Sequence, residues 1–216
     1  MSARVVATSH PSALADAVEI LEAGGLVVLP TDTVYGVGAM AFAPDAVARL
    51  YRVKGRPETK AIPILIGDPQ DLAAVAGELS EAAESLAARF WPGAMTLVVP
   101  RRPELPEEVS SYGTVGVRLP DHEFARALMT VTGPLAVTSA NRSGGPNSHT
   151  AQSAVEALGD EVDLILDGGV TPGGQPSTVV DCSVFPPKIL RQGPISAAEI
   201  NEVLGLPHHP DEYQRR

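Results

Sequence analysis

KGRPETKAIPIL, residues 54–65, sets Lys54, Arg56 and Lys60 within seven positions, breaks them with Gly55 and Pro57, and then turns apolar. Pro44 and Asp45 open a helix that runs to about Val53 and delivers Lys54 at its end, so the stretch reads as helix end, cationic turn and strand. Pro63 inside AIPILI has no N–H to give a ladder, which predicts an edge strand or a bulge there. The same alternation extends in both directions. Toward the N-terminus, residues 12–23 place Leu14, Val18 and Leu21 on one helical face, with Ser12 as N-cap and Gly24-Gly25 as the stop, followed by the strand LVVLP at 26–30. Toward the C-terminus come alanine-rich helices near 69–76 and 80–90, strands at 95–100 and 114–120, a helix near 122–132 and the strand PLAVTSA. A helix near 151–158, strands near 163–166, 177–181 and 188–191, and a helix begun by Ser196 complete the series. Hairpins and crossovers are equally represented, which predicts a mixed α/β fold: a twisted sheet of parallel and antiparallel strands with flanking helices. One domain over 1–206 is expected, with a frayed tail at 207–216, where HHPDEYQRR has no apolar pattern.

Composition narrows the function classes. A chain of 216 residues can bury a sizeable core, and its 44% hydrophobic content contains no run long enough to cross a bilayer, so a soluble protein without membrane partners is expected. MSARVVATSHPSAL lacks the apolar core of a secretory signal. The single cysteine, Cys182, excludes an intrachain disulfide framework and a cysteine zinc cluster, fits a reducing cytoplasm, and reads as a small buried hydrophobe. A net charge of −10 argues against broad nonspecific binding to nucleic acid, because that rests on phosphate neutralisation by Lys and Arg. Any polyanion must be held by a local basic site.

Four loops could supply one: PTDTVYG (30–36), KGRPETK (54–60), SANRSGGPNSHT (139–150) and TPGGQPST (171–178). Their Gly, Pro, Ser and Asn are turn formers in any protein. Here, however, all four border apolar strands, cations concentrate in one of them, and Arg118 and Arg191 lie at strand ends, which points to donors converging on an anionic ligand. A guanidinium at Arg56, aimed by the restricted Gly55 and Pro57, suits two phosphate oxygens, while Lys54 and Lys60 read as mobile point charges. Arg118 is open to two readings, a ligand contact or an ion pair. Asp32 in its Thr-rich turn reads as an Asx-type cap. The phosphate loop GxxxxGK[ST], a strand-borne GxGxxG, HExxH and GxSxG are all missing. His10, His122 and His149 are scattered and read as surface or capping residues, and no protein-only metal cage is expected. Magnesium would arrive with a nucleotide.

LPTDTVYGVG, KGRPETK, WPGAMTLVV, TVGVRLPDH, TSANRSGG and PSTVVDC, followed by ILRQG, resemble in order the signature segments of the YrdC/Sua5 family of L-threonylcarbamoyladenylate synthases, over about residues 10–205. The length resembles the short single-domain members, which implies a YrdC-like catalytic domain. The resemblance implies that L-threonine, bicarbonate or CO2, and ATP with Mg2+ give L-threonylcarbamoyladenylate and pyrophosphate. The product would pass to a threonylcarbamoyl transferase that modifies adenosine 37 of tRNAs reading codons that begin with A. Carried over by position, Lys54 and Arg56 are the catalytic pair. Arg56, Lys60, Thr114, Asn141, Thr150 and Arg191 would hold ATP, and Thr33, Arg118, Ser139 and Ser177 would hold threonine. Thr33 and Ser177 are the expected readers of the threonine hydroxyl, since a site that bonds this group rejects valine. The chain departs from the family at Asn147-Ser148-His149-Thr150, where Ser-Pro-Thr is frequent, and at Leu65, where longer relatives carry His. Direct tRNA contact would need a local basic face, and segments 142–150 and 171–177 are candidate lids. Two alternatives stay open: a family paralogue that binds nucleotide or RNA without this reaction, and a sugar-phosphate enzyme, against which the lack of an acidic metal cluster counts.

Overall fold

In the computed structural model, which describes residues 3–206, ten strands form one mixed sheet. The strands are β1 (Arg4–Ala7), β2 (Val27–Leu29), β3 (Gly36–Met40), β4 (Ile64–Leu65), β5 (Met95–Pro100), β6 (Thr114–Arg118), β7 (Leu135–Ser139), β8 (Leu164–Asp167), β9 (Thr178–Asp181) and β10 (Lys188–Arg191). Their order across the sheet is β1-β8-β2-β3-β7-β4-β6-β5-β9-β10, with four parallel and five antiparallel pairings. The mixed α/β expectation holds. The tail expected at 207–216 lies outside the described residues.

Successive residues of a strand face opposite sides, and the core splits accordingly. Val27, Leu29, Leu135, Val137, Leu164 and Leu166 pack with α1 (Ala13–Glu22) and α5 (Glu123–Thr132) on one face. Val28, Ala136 and Ile165 face the other way, toward α2 (Pro44–Lys54), α4 (Glu81–Phe90), α6 (Ala151–Leu158) and α7 (Ala197–Leu204). The remaining helix, α3 (Leu72–Val75), extends a single 3-10 turn at Pro69–Asp71. Burial on both faces explains why the central strands read as continuous apolar runs.

Two expectations fail for physical reasons. β4 is no edge strand: it lies between β6 and β7 in mid-sheet. Pro63 is accommodated because it stands just before the two-residue strand, where its carbonyl accepts from Val137 N at 2.9 Å and no N–H is required. β3 escapes sequence patterning because GVGAM looks like a glycine loop, and glycine is depleted in strands. Here packing demands it: a Cβ on Gly36 would sit 2.5 Å from Val137 Cγ1.

Candidate functional site

A cavity of about 170 Å³ opens where the ends of β6 and β7 and the start of β9 meet the loops after β2 and α2. Arg56, Arg118, Ser139, Ser177 and Arg191 all line it, and none of its lining residues is acidic. Residues 135 positions apart in sequence thus share one wall.

Helix α2 ends on Gly55, whose φ of +58° is the left-handed conformation that glycine adopts without steric cost. The chain therefore reverses sharply and Arg56 folds back on the turn: Nε donates to Lys60 O at 2.9 Å and Nη2 to Ala61 O at 2.8 Å. Arg191 is held by Nε and Nη2 on Ser177 O at 3.0 and 2.9 Å. Among the described residues, Nη1 of each guanidinium has no protein partner. Desolvation lowers the pKa of both, and at Arg191, which is exposed as a residue, the charge of Arg56 adds to that effect. Gly193 makes this shelf: a Cβ there would collide with Pro176 O and the Thr178 amide, pushing Ser177 away.

Arg118 differs. It is 5% exposed, and it donates to Gly93 O at 2.9 Å, to Thr33 Oγ1 at 2.8 Å and to the carboxylate of Asp32. Asp32 is thus an ion-pair partner and not the expected Asx-type cap; the Thr31 hydroxyl organises that turn instead, donating to Val34 O at 2.7 Å. Burial lowers the pKa of Arg118 and Asp32 opposes that shift. Three of the five guanidinium N–H groups are used, which leaves two for a ligand.

The lysines do not behave as mobile charges on the cavity wall. Lys54 is 2% exposed, does not line the cavity, and donates from Nζ to the carbonyls of Ser139 and Asn141. Desolvation, then repulsion from Arg56, brings its pKa down to about 8. Lys60 is exposed and outside the lining. Thr114 sits at the other end of β6 from Arg118, about 13 Å of strand away. Thr150 caps α6, its Oγ1 accepting from Ser153 N at 3.1 Å. Asn141 donates to Arg142 O and Gly145 O at 2.9 and 2.7 Å, while its buried Oδ1 has no partner among the described residues.

The hydroxyls also sort themselves. Thr33 Oγ1 is committed to Arg118 and Thr31, and Ser177 Oγ to Thr96 Oγ1 at 2.7 Å and Arg191 at 3.2 Å. Thr138 and Ser139 line the cavity, and neither hydroxyl is bonded within the described protein. Thr96 and Thr138 are not singled out by the sequence reading, and Asn147 enters it only as a departure from the family pattern. The available signal was a polar residue interrupting an apolar strand, as Thr96 does in MTLVVP and Thr138 in LAVTS. The scattered histidines hold to expectation at His122, whose ring caps α5, accepting from Ala125 N at 3.3 Å. Cys182 is buried, with its pKa pushed up to about 12. The candidate lid at 171–177 is pinned by Gly174 N on Thr33 O at 3.1 Å and Thr171 N on His149 O at 2.9 Å. A protein-held metal does not fit: no group of three or more His, Cys, Asp or Glu able to hold an ion occurs among the described residues, and no helix is long and apolar enough to cross a membrane.

A family model described as telomere recombination, covering Sua5, YciO and YrdC, matches residues 19–193. The chain is 42% identical over 194 residues to a Mycobacterium tuberculosis protein provisionally named a threonylcarbamoyl-AMP synthase, covering 89% of each. It is 39% identical over 210 residues to the Bacillus subtilis threonylcarbamoyl-AMP synthase, covering 96% of this chain and 60% of that one. Among solved structures, it is similar to Pyrococcus abyssi Sua5 complexed with L-threonine, with TM-score 0.88 and 40% identity over 94% of this chain and 60% of that chain. Escherichia coli YciO matches with TM-score 0.82 and 26% identity over 93% and 100%. With the matched segment running from α1 to just beyond β10 and the cavity built from the same stretch, the chain belongs to the Sua5/YciO/YrdC family.

Proposed function

We infer that the protein is an L-threonylcarbamoyladenylate synthase, joining L-threonine, bicarbonate or CO2, and ATP and releasing pyrophosphate. One observation carries the reading. Arg56 and Arg191, each with an Nη1 that has no partner among the described residues, line a cavity without an acidic lining residue, in a protein of net charge −10. ATP, bicarbonate and the threonine carboxylate are all anions, and fixed cations are what allow them to share a small volume.

In this reading Arg56 and Arg191 meet the ATP phosphates, and Asn141, outside the cavity lining, would join them only at the cavity's edge. Arg118 offers its two remaining N–H groups to the threonine carboxylate, with Thr33 and Ser177 holding the surrounding hydrogen bonds. The free hydroxyls of Thr138 and Ser139 are better placed than Thr33 and Ser177 to read the threonine hydroxyl, because theirs are uncommitted. Lys60, Thr114 and Thr150 enter no step. The neutral amine of threonine bonds to the carbon of CO2, which bicarbonate supplies by taking up a proton and losing water, and the nitrogen then loses a proton to solvent. An oxygen of the resulting carbamate then attacks the α-phosphorus as its bond to pyrophosphate breaks. Alignment and charge stabilisation do the catalytic work, with no protein nucleophile. Magnesium belongs with the ATP phosphates as their counter-ion. The product goes to a cytoplasmic transferase acting on tRNA, and the chain itself need not touch RNA.

Incubation with ATP, bicarbonate and labelled threonine is expected to give a threonine-dependent adenylate and pyrophosphate in equal amounts. ATP hydrolysis that does not depend on threonine overturns the reading in favour of a nucleotide-binding paralogue.

A further inference from the structure

The inference here deepens the synthase reading and rests on it. Helix α2 and the segment after β7 are joined by contacts running both ways. From the helix, Lys54 Nζ donates to the carbonyls of Ser139 and Asn141. From the segment, Ser143 N donates to Lys54 O at 2.8 Å, and Arg142 Nη1 donates to Val53 O. Arg142 also pairs with Glu161 in the turn before β8. Four hydrogen bonds from three donor groups thus lock 139–143 against the last turn of α2, where helix carbonyls have no intrahelical partner.

The placement of Lys54 within this lock is unusual. A lysine 2% exposed, with no carboxylate among its partners, is costly to bury, and the cation Arg56 repels it further. Two main-chain carbonyls on either side of Ala140 accept its hydrogen bonds, so the ammonium fixes the spacing of Ser139 and Asn141. Ser139 lines the cavity and Lys54 does not.

We propose that Lys54 is a positioning residue: it clasps the Ser139–Asn141 segment from behind and touches no substrate, leaving Arg56 and Arg191 as the direct phosphate contacts. The charge of Lys54 serves the cavity through geometry.

The test uses the whole chain in two variants. Lys54→Met keeps the length and removes the donors; Arg142→Ala undoes the outer bolt with a side chain that is half exposed and puts folding at little risk. Amide hydrogen exchange over 139–145 in ligand-free protein is expected to quicken about tenfold or more in Lys54→Met and less in Arg142→Ala, as loss of charged hydrogen bonds predicts. In Lys54→Met, KM for threonine and for ATP should both rise about tenfold or more while kcat falls by a smaller factor. Unchanged exchange and unchanged KM with kcat down about a hundredfold overturns the proposal and puts Lys54 on the reacting phosphoryl group. If Lys54→Met does not fold, unchanged exchange in Arg142→Ala overturns it. The exchange measurement needs no turnover, so a wild-type protein that makes no adenylate sinks the synthase reading and leaves the clasp standing.

Discussion

Arg118 and Arg56 line the same cavity, and they are built on different electrostatic plans. Arg118 comes with its own anion, Asp32, and with Thr33 and Gly93 on its other nitrogens, so its position is settled before any ligand arrives. Arg56, like Arg191 beside it, meets only carbonyls and a hydroxyl and keeps one nitrogen unpaired among the described residues. A buried ion pair contributes orientation more than stability, because desolvation consumes most of its Coulomb energy. An uncompensated cation in a half-buried wall stores the opposite: an unmet demand for negative charge. On this contrast we propose that the carboxylate end of the substrate set meets the compensated corner and the phosphate end the uncompensated one.

Removing one member of the compensated corner should have the largest effect. Arg118→Met strands Asp32 without its partner and is expected to lower stability by about 3–5 kcal/mol in urea unfolding, while adding Asp32→Asn should restore most of it. If the single and double variants unfold alike, the two corners are not different in kind. Arg56→Ala is expected instead to raise the activation barrier by about 2–4 kcal/mol, read as kcat/KM for adenylate formation, with a smaller shift in the urea midpoint than Arg118→Met gives.

Lys54 sharpens the comparison through pH. Its pKa is about 8 in the folded protein and 10.5 without burial, so between those values the unfolded chain binds the extra proton and stability rises with pH. Wild type relative to Lys54→Met should therefore be flat below about pH 8 and gain up to about 3 kcal/mol by pH 10.5. A flat difference across that range would mean that the amine is not desolvated. The smallest effect belongs to Thr150→Ala, about 1 kcal/mol of stability for the lost helix cap; a rise in the KM for ATP beyond that would return Thr150 to the ligand.

Fold legibility followed burial. β2 was readable because a strand buried on both faces is apolar throughout, β5 and β6 because the face they turn to the core is apolar, and the last helix announced itself by Ser196. β3 was not, since its glycines answer to Val137 across the ladder and carry no local strand signal. Arg118 and Arg191 could be singled out as cations at strand ends of an acidic chain, and Arg56 as a cation in a Gly-Pro turn after a helix. Their partners could not: a sequence does not say that Asp32 will reach Arg118, 86 positions away, or that Lys54 will turn from the cavity to two carbonyls.

The sequence by itself determined the alternation of elements, the two-faced core and the set of groups able to hold an anion, because periodicity, capping and charge are local properties of the chain. Only the tertiary structure decided which of those groups are free. Whether a donor is spent on the protein or left for a ligand depends on what long-range packing places within about 3 Å of it.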